Sequence, residues 1–169
     1  ELMWYLEGWS MVKEQAGTMT KFWEEKSLND MSPEEWESLC DHCGRCCLVR
    51  LIDDDTEELL TTNIVCRAYD QQNKQCGCYA YRHKEVPECL KLTAENVLTE
   101  DWIPSTCAYR RLAEGRDLAF WHPLLAGDSR KMDELGISIT NRVVGEQTVR
   151  PENYEDHVAS WPIGPDVDL

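Results

Sequence analysis

The sequence predicts a small α+β domain, with short helices and a small antiparallel sheet around an irregular centre organised by metal. Three observations predict it. The helix signals are short and separated by turn residues. Two apolar runs flank an acidic turn, "CLVRLIDDDTEELLTTNIVC", and read as a hairpin. Nine cysteines crowd between Cys40 and Cys107, in a stretch with few regular signals of its own. A chain of 169 residues suits one domain with a modest core.

Residues 1–18 read as an N-terminal extension. Leu2, Leu6 and Trp9 fall at helical spacing, as do Tyr5, Trp9 and Val12. Such a helix either packs on its own core or docks on a partner. Residues 19–150 hold the cysteine cluster. In "MSPEEWESLC" Ser32 is a good N-cap, Pro33 suits the first helical position, and Glu35 completes a capping box. Trp36, Leu39 and Cys40 share one face, so Cys40 is expected on the last turn, facing the core. Gly44 permits a tight turn that returns Cys43 and Cys46 towards Cys40.

The hairpin spans 48–66. Its acidic turn, Asp53 to Glu58, lacks the alternation and the glycine of a calcium loop and reads as solvated. "CRAYDQQNKQCGCYAYRHKEVPECLKL" reads as an irregular knuckle that a metal would order. Helix returns after it, with Thr93 and Ser105 as N-caps and Gly115 as a stop. "WHPLLAGD" reads as a turn, and "GISITNRVV" as a strand over 137–144. Residues 151–169 read as a short helix opened by Pro151, then a tail.

The formal net charge is −15. Nucleic-acid binders carry a basic footprint, so that class is excluded, as is an anionic lipid surface. No apolar run approaches the length that spans a bilayer. The opening "ELMWYLEGWSMV" lacks a basic leading region and a small-residue cleavage site, which leads us to expect a reducing, cytoplasmic setting. No hydrolase elbow, phosphate-cradling loop or dinucleotide fingerprint is present, so the expectation is a non-catalytic protein.

"CDHCGRCC" places four cysteines in eight positions. Disulfide staples, a reactive thiol centre and a metal or cluster site all compete for it. An odd cysteine count in a reducing compartment disfavours disulfides, and the C-x2-C spacing favours metal, because it brings two thiolates to one ion from a tight turn. Here that spacing occurs twice in series, through Cys40, Cys43 and Cys46. Bacterial ferredoxins place their fourth cysteine three residues on and follow it with proline. This chain instead has Cys47 at once. Adjacent side chains rarely aim at one point, so Cys46 and Cys47 are expected to serve different metals, or one of them to pack.

Cys66, Cys76, Cys78 and Cys89 supply four more thiols. The eight suit two tetrahedral sites, or a cluster plus one site, so the expected cofactor is zinc or iron, an iron–sulfur cluster included, in one or two sites. Cys107 is assigned to helix and core packing. Arg45, Arg50, Arg67, Arg82 and His83 lie near cysteines in sequence and would offset thiolate charge. His83 and His122 are minor candidates as nitrogen ligands. His42 is expected to point away from the site, and His157 to be structural or exposed.

"CDHCGRCC", followed by "CRAYD", "CGCYAYR", "PECLKLT" and "STCAYRRLAEGRDLAFWHPLL", resembles the CxxCxxCC cysteine-cluster family, most closely its YcgN-like branch. The resemblance runs from about Phe22 to His157, and Met19 looks like a family-typical start. It implies a zinc- or iron-chelating domain in bacterial-type cytoplasmic proteins. Some wider relatives use the motif as an iron–sulfur site linked to a methyltransferase. Relatives similar to this branch serve as accessory subunits of respiratory NADH dehydrogenase (complex I) in some lineages.

The resulting expectation is an accessory or assembly subunit of a larger complex, which respiratory NADH dehydrogenase would fit, cytoplasmic or held at the inner membrane through a protein partner. The alternatives are an iron–sulfur redox or enzyme-assisting protein, and a metal-trafficking chelator.

Overall fold

A computed structural model describes residues 21–162; the expected docking helix over residues 1–18 lies outside them. Among the described residues six short α-helices are seen: α1 (Phe22–Glu25), α2 (Pro33–Ser38), α3 (Arg82–Glu85), α4 (Ala108–Ala113), α5 (Pro123–Ala126) and α6 (Arg130–Glu134), and the helix expected at Pro151 is a 3-10 helix over Pro151–His157. Five strands accompany them: β1 (Leu48–Ile52), β2 (Leu59–Val65), β3 (Tyr69–Asp70), β4 (Gln75–Cys76) and β5 (Val144–Gly145). The fold is the expected small α+β domain.

α2 starts as its residues dictate. The Ser32 hydroxyl accepts from the Glu35 backbone N–H at 3.2 Å, and the Glu35 carboxylate accepts from the Ser32 N–H at 2.8 Å. The helix ends two residues earlier than expected. Leu39 is its C-cap, so Cys40 lies past it rather than on its last turn. The backbone then turns at His42 (φ 57°) and Gly44 (φ 76°), both left-handed.

β1 and β2 pair antiparallel with an irregularity between Leu48 and Arg50. Asp53 Oδ1 orders the turn by accepting from the N–H groups of Asp55 and Thr56. β5 joins β2 in parallel through Ile64–Val144 and Val65–Gly145. The strand expected over 137–144 is therefore corrected to a two-residue element. Buried Ile137 and Ile139 serve packing instead of a ladder, with the Ile139 N–H donating to the Cys43 carbonyl at 2.9 Å.

The knuckle holds a small hairpin, β3 against β4, turned by Asp70. Cys107, not Ser105, occupies the N-cap position of α4, without a side-chain capping bond, and residues 94–99 make turns rather than a helix after Thr93. "HPLLAG" forms α5, whose first turn is held by the His122 side chain.

Three small apolar clusters replace one large core. The first gathers Trp23, Leu39, Val97, Ile103, Ala108, Tyr109 and Leu118. The second holds Cys43, Ala119, Trp121, Met132 and Ile137. The third holds Leu48, Val65 and Ile139. The segment Leu39–Leu48 contributes to all three, so the cysteine motif sits at their junction.

Candidate metal centre

The motif turn is built from its own backbone. Buried Asp41 accepts from the Cys43 N–H through Oδ1 at 3.0 Å. The Cys47 N–H donates to the Gly44 carbonyl at 2.9 Å. Gly44 is required sterically as well as by its φ: a Cβ there would lie 2.6 Å from Ile139 Cδ1 and 2.8 Å from Tyr69 Oη.

The thiols fall into two neighbourhoods. Cys40, Cys43 and Cys46 lie within electrostatic range of Cys107. Cys47, hydrogen-bonded to Cys46 through its thiol, lies within range of Cys66 and Cys76, and its carbonyl accepts from the Cys66 N–H at 2.9 Å. Cys76 and Cys78 stand with their sulfurs 3.7 Å apart. Two sulfurs bound to one tetrahedral ion at about 2.3 Å stand about 3.8 Å apart, so this pair has the spacing of one metal. Cys89, at the edge, points its thiol at the Leu90 carbonyl.

Burial pushes the Cys40 and Cys43 thiols well above their ordinary range, and raises Cys107 to about 12. Cys46 is exposed; its thiol is lowered by hydrogen bonding with Cys47 and by the Arg50 charge, while Cys47 is raised. Among the described residues, no three His, Cys, Asp or Glu side chains already converge on one point. An ion must therefore close each site by rotating side chains and displacing thiol protons.

A metal or cluster fits this donor set on three observations. Backbone N–H groups are aimed at sulfurs: His42 at Cys40, Arg45 at Cys43, and Ala68 at Cys66, the last at 3.4 Å. A neutral thiol is a weak acceptor; a thiolate is a strong one. Two guanidiniums are sunk beside the thiols. Arg45 is 4% exposed and donates to Thr106 Oγ1 at 3.1 Å and to the Pro162 carbonyl. Arg50 donates to the carbonyls of Leu48 and Arg45 and stacks 4.8 Å over Trp102. Charges withdrawn from water are normally paired, yet neither buried Arg45 nor half-buried Arg50 makes an ion pair with a carboxylate among the described residues. The negative groups within range are Cys43 and, less strongly, Asp41 for Arg45, and Cys46 and Cys47 for Arg50. A divalent ion on four thiolates carries two negative charges, which these two cations offset. The third observation is two buried indole N–H groups without an acceptor, on Trp23 and Trp121. Cys40 and Cys107 pack against the cluster of Trp23, and Cys43 shares the cluster of Trp121.

The remaining candidates have other work. Arg67 pairs with Glu146 at 3.5 Å, and Arg82 stacks 4.1 Å over Tyr79. His83 is exposed. His122 is structural: its Nε2–H donates to the Leu39 carbonyl at 3.0 Å, and its Nδ1 accepts from the Leu124 N–H at 3.1 Å. His157 donates from Nδ1 to Asn63 Oδ1 at 2.9 Å. Cys107, assigned to core packing from the sequence, does pack on the first cluster, but it also stands among the motif thiols. Its one sequence signal was the odd ninth cysteine left over from an eight-thiol count.

Comparison with known proteins agrees with this chemistry. Residues 39–108 match the CxxCxxCC family, described as "Putative zinc- or iron-chelating domain". A UPF0260 protein of Shewanella oneidensis is 50% identical over 142 residues, covering 84% of this chain and 96% of the relative. One from Mesorhizobium japonicum is 50% identical over 141 residues, covering 82% and 95%. One from Proteus mirabilis is 48% identical over 143 residues, covering 85% and 96%. No solved structure matches the chain. With the cysteine motif inside the matched region and half of all residues shared along most of the chain, the protein belongs to the UPF0260 family of cysteine-cluster proteins.

Proposed function

We propose that this protein is a non-catalytic metal–thiolate domain, in which zinc or iron bound by the cysteine cluster orders the junction of three small cores. The observation that carries it is the placement of buried Arg45 and half-buried Arg50 against thiols, with no ion pair from either to a carboxylate among the described residues. Protonated thiols would leave Arg45 with Asp41 as its one nearby counter-charge, and Arg50 with none, among the described residues. Metal-bound thiolates balance them. Each of the three clusters is small, so much of the folding free energy would come from the metal, as in other small metallo-domains.

The sulfur-rich donor set suits zinc and iron alike. The accessory role on a larger complex, respiratory NADH dehydrogenase included, is the finer part of this proposal and rests on the resemblance to the YcgN-like branch.

Anaerobic purification, elemental analysis and chelation test the reading together. We expect one or two zinc or iron ions per chain, brown colour if the iron forms a cluster, and loss of near-ultraviolet circular dichroism on chelation. A purified chain without metal, or one whose tertiary signal survives chelation unchanged, would refute it. Co-purifying proteins from the native source test the accessory role.

A further inference from the structure

We infer that Cys107 is the fourth thiolate of an inner metal site whose other ligands are Cys40, Cys43 and Cys46, and that Cys47 belongs to a second site with Cys66, Cys76 and Cys78. The inference rests on the metal-binding reading above and says how the thiols divide.

Position supports it first. Cys107 opens α4 and packs on the same apolar cluster as Cys40. Two long-range bonds hold its neighbourhood against the motif. The Arg45 guanidinium donates to Thr106 Oγ1 at 3.1 Å, and Tyr109 Oη donates to the Trp36 carbonyl at 2.7 Å. Residues 106–109 are thereby pinned to α2 and to the motif turn, although more than sixty positions separate them in sequence.

The surroundings of the sulfur are the second support. The N–H groups of Tyr109 and Arg110, in the first turn of α4, lie near the Cys107 sulfur without forming a capping bond to it, as those of His42 and Arg45 lie near Cys40 and Cys43. In all three cases a donor comes from the residue two positions on. A cysteine that served packing alone would gain little from two donors, because a neutral thiol accepts weakly. The unpartnered indole N–H of Trp23, in the cluster on which Cys40 and Cys107 both pack, adds a third donor in search of an acceptor.

The placement of the doublet is the third support. Cys46 lies within range of Cys40, Cys43 and Cys107, while Cys47, whose thiol is hydrogen-bonded to that of Cys46, also lies within range of Cys66 and Cys76. The backbone bond between the Cys66 N–H and the Cys47 carbonyl ties Cys47 to that second group. The 3.7 Å spacing of Cys76 and Cys78 then supplies two corners of that site.

The test uses the full chain, stripped of metal and titrated with cobalt(II), whose visible spectrum reports the thiolates bound. Wild type should take up two ions. Cys43→Ser and Cys107→Ser should each lose one ion. The double variant Cys43→Ser/Cys107→Ser should lose no more than either single variant, because both residues serve one ion. Cys107→Ser/Cys76→Ser should lose both ions. Cys107→His guards against a mere packing defect: as a replacement ligand it should restore the second ion with a shifted cobalt spectrum. Two ions with an unchanged spectrum in Cys107→Ser would overturn the inference, as would additive loss in the Cys43/Cys107 pair. Failure of wild type to bind any ion would instead overturn the metal reading itself.

Discussion

Replacing Gly44 with alanine tests whether the motif turn is as tightly built as its contacts imply. Two separate costs follow from the structure. The residue sits at φ 76°, and a side chain in the left-handed region costs about 1–2 kcal/mol. The new Cβ would also lie 2.6 Å from Ile139 Cδ1 and 2.8 Å from Tyr69 Oη. Ile139 is 1% exposed, and its N–H is bonded to the Cys43 carbonyl, so it has little room to retreat. Overpacking of that kind costs about 1–3 kcal/mol. The sum is about 2–5 kcal/mol, a lowering of the melting temperature on the order of 10 °C for a chain of this size. Gly127 is the control. It has φ 88° but nothing within 4 Å of a Cβ, so Gly127→Ala carries only the first cost. Urea denaturation of the metal-loaded protein, followed by tryptophan fluorescence, should rank Gly44→Ala clearly below Gly127→Ala. Equal midpoints for the two variants would show that the contacts with Ile139 and Tyr69 do not constrain the turn.

Two other predictions concern the charge of the site. Removing the buried cation in Arg45→Leu should weaken metal binding about 10–100-fold, as loss of an outer-shell partner does. Arg45→Lys should lose less, since it keeps the charge and gives up only the forked bond to Thr106 and Pro162. Competition with a chromophoric chelator measures both, and unchanged affinity in Arg45→Leu would refute the role. The second prediction concerns pH. Burial raises the Cys40, Cys43 and Cys107 thiols, so they enter binding protonated and the bound state holds fewer protons. Affinity should therefore strengthen as pH rises through 7 to 8, with log affinity climbing by roughly three or more per pH unit for the inner site. A slope near zero would mean that the thiolates are already ionised.

Much of the local structure was legible from the chain. The capping box at Ser32 and Glu35 needs only residues three apart, and it formed as read. The hairpin followed from two apolar runs and an acidic turn. Gly115 ended α4 at φ 75° as expected. Misreadings came where a short signal was overridden by packing. "GISITNRVV" alternates like a strand, but Ile137 and Ile139 enter two different apolar clusters, so only Val144 and Gly145 reach the sheet. Ser105 is a good cap by type, yet α4 begins at Ala108 with Cys107 at its N-cap position.

By itself, the sequence determined that sulfur chemistry would dominate this protein, because thiols at C-x2-C spacing and their acidic, uncharacteristically cysteine-rich setting are properties of the chain alone. The tertiary structure decided the neighbours of each thiol. Cys107 comes to the motif through contacts between Arg45 and Thr106 and between Trp36 and Tyr109. Arg45 is read from sequence as one of several nearby cations, and only folding shows it sunk without a carboxylate partner among the described residues. Such contacts depend on how three small cores meet, and residues sixty or seventy positions apart carry no local periodicity that would announce them.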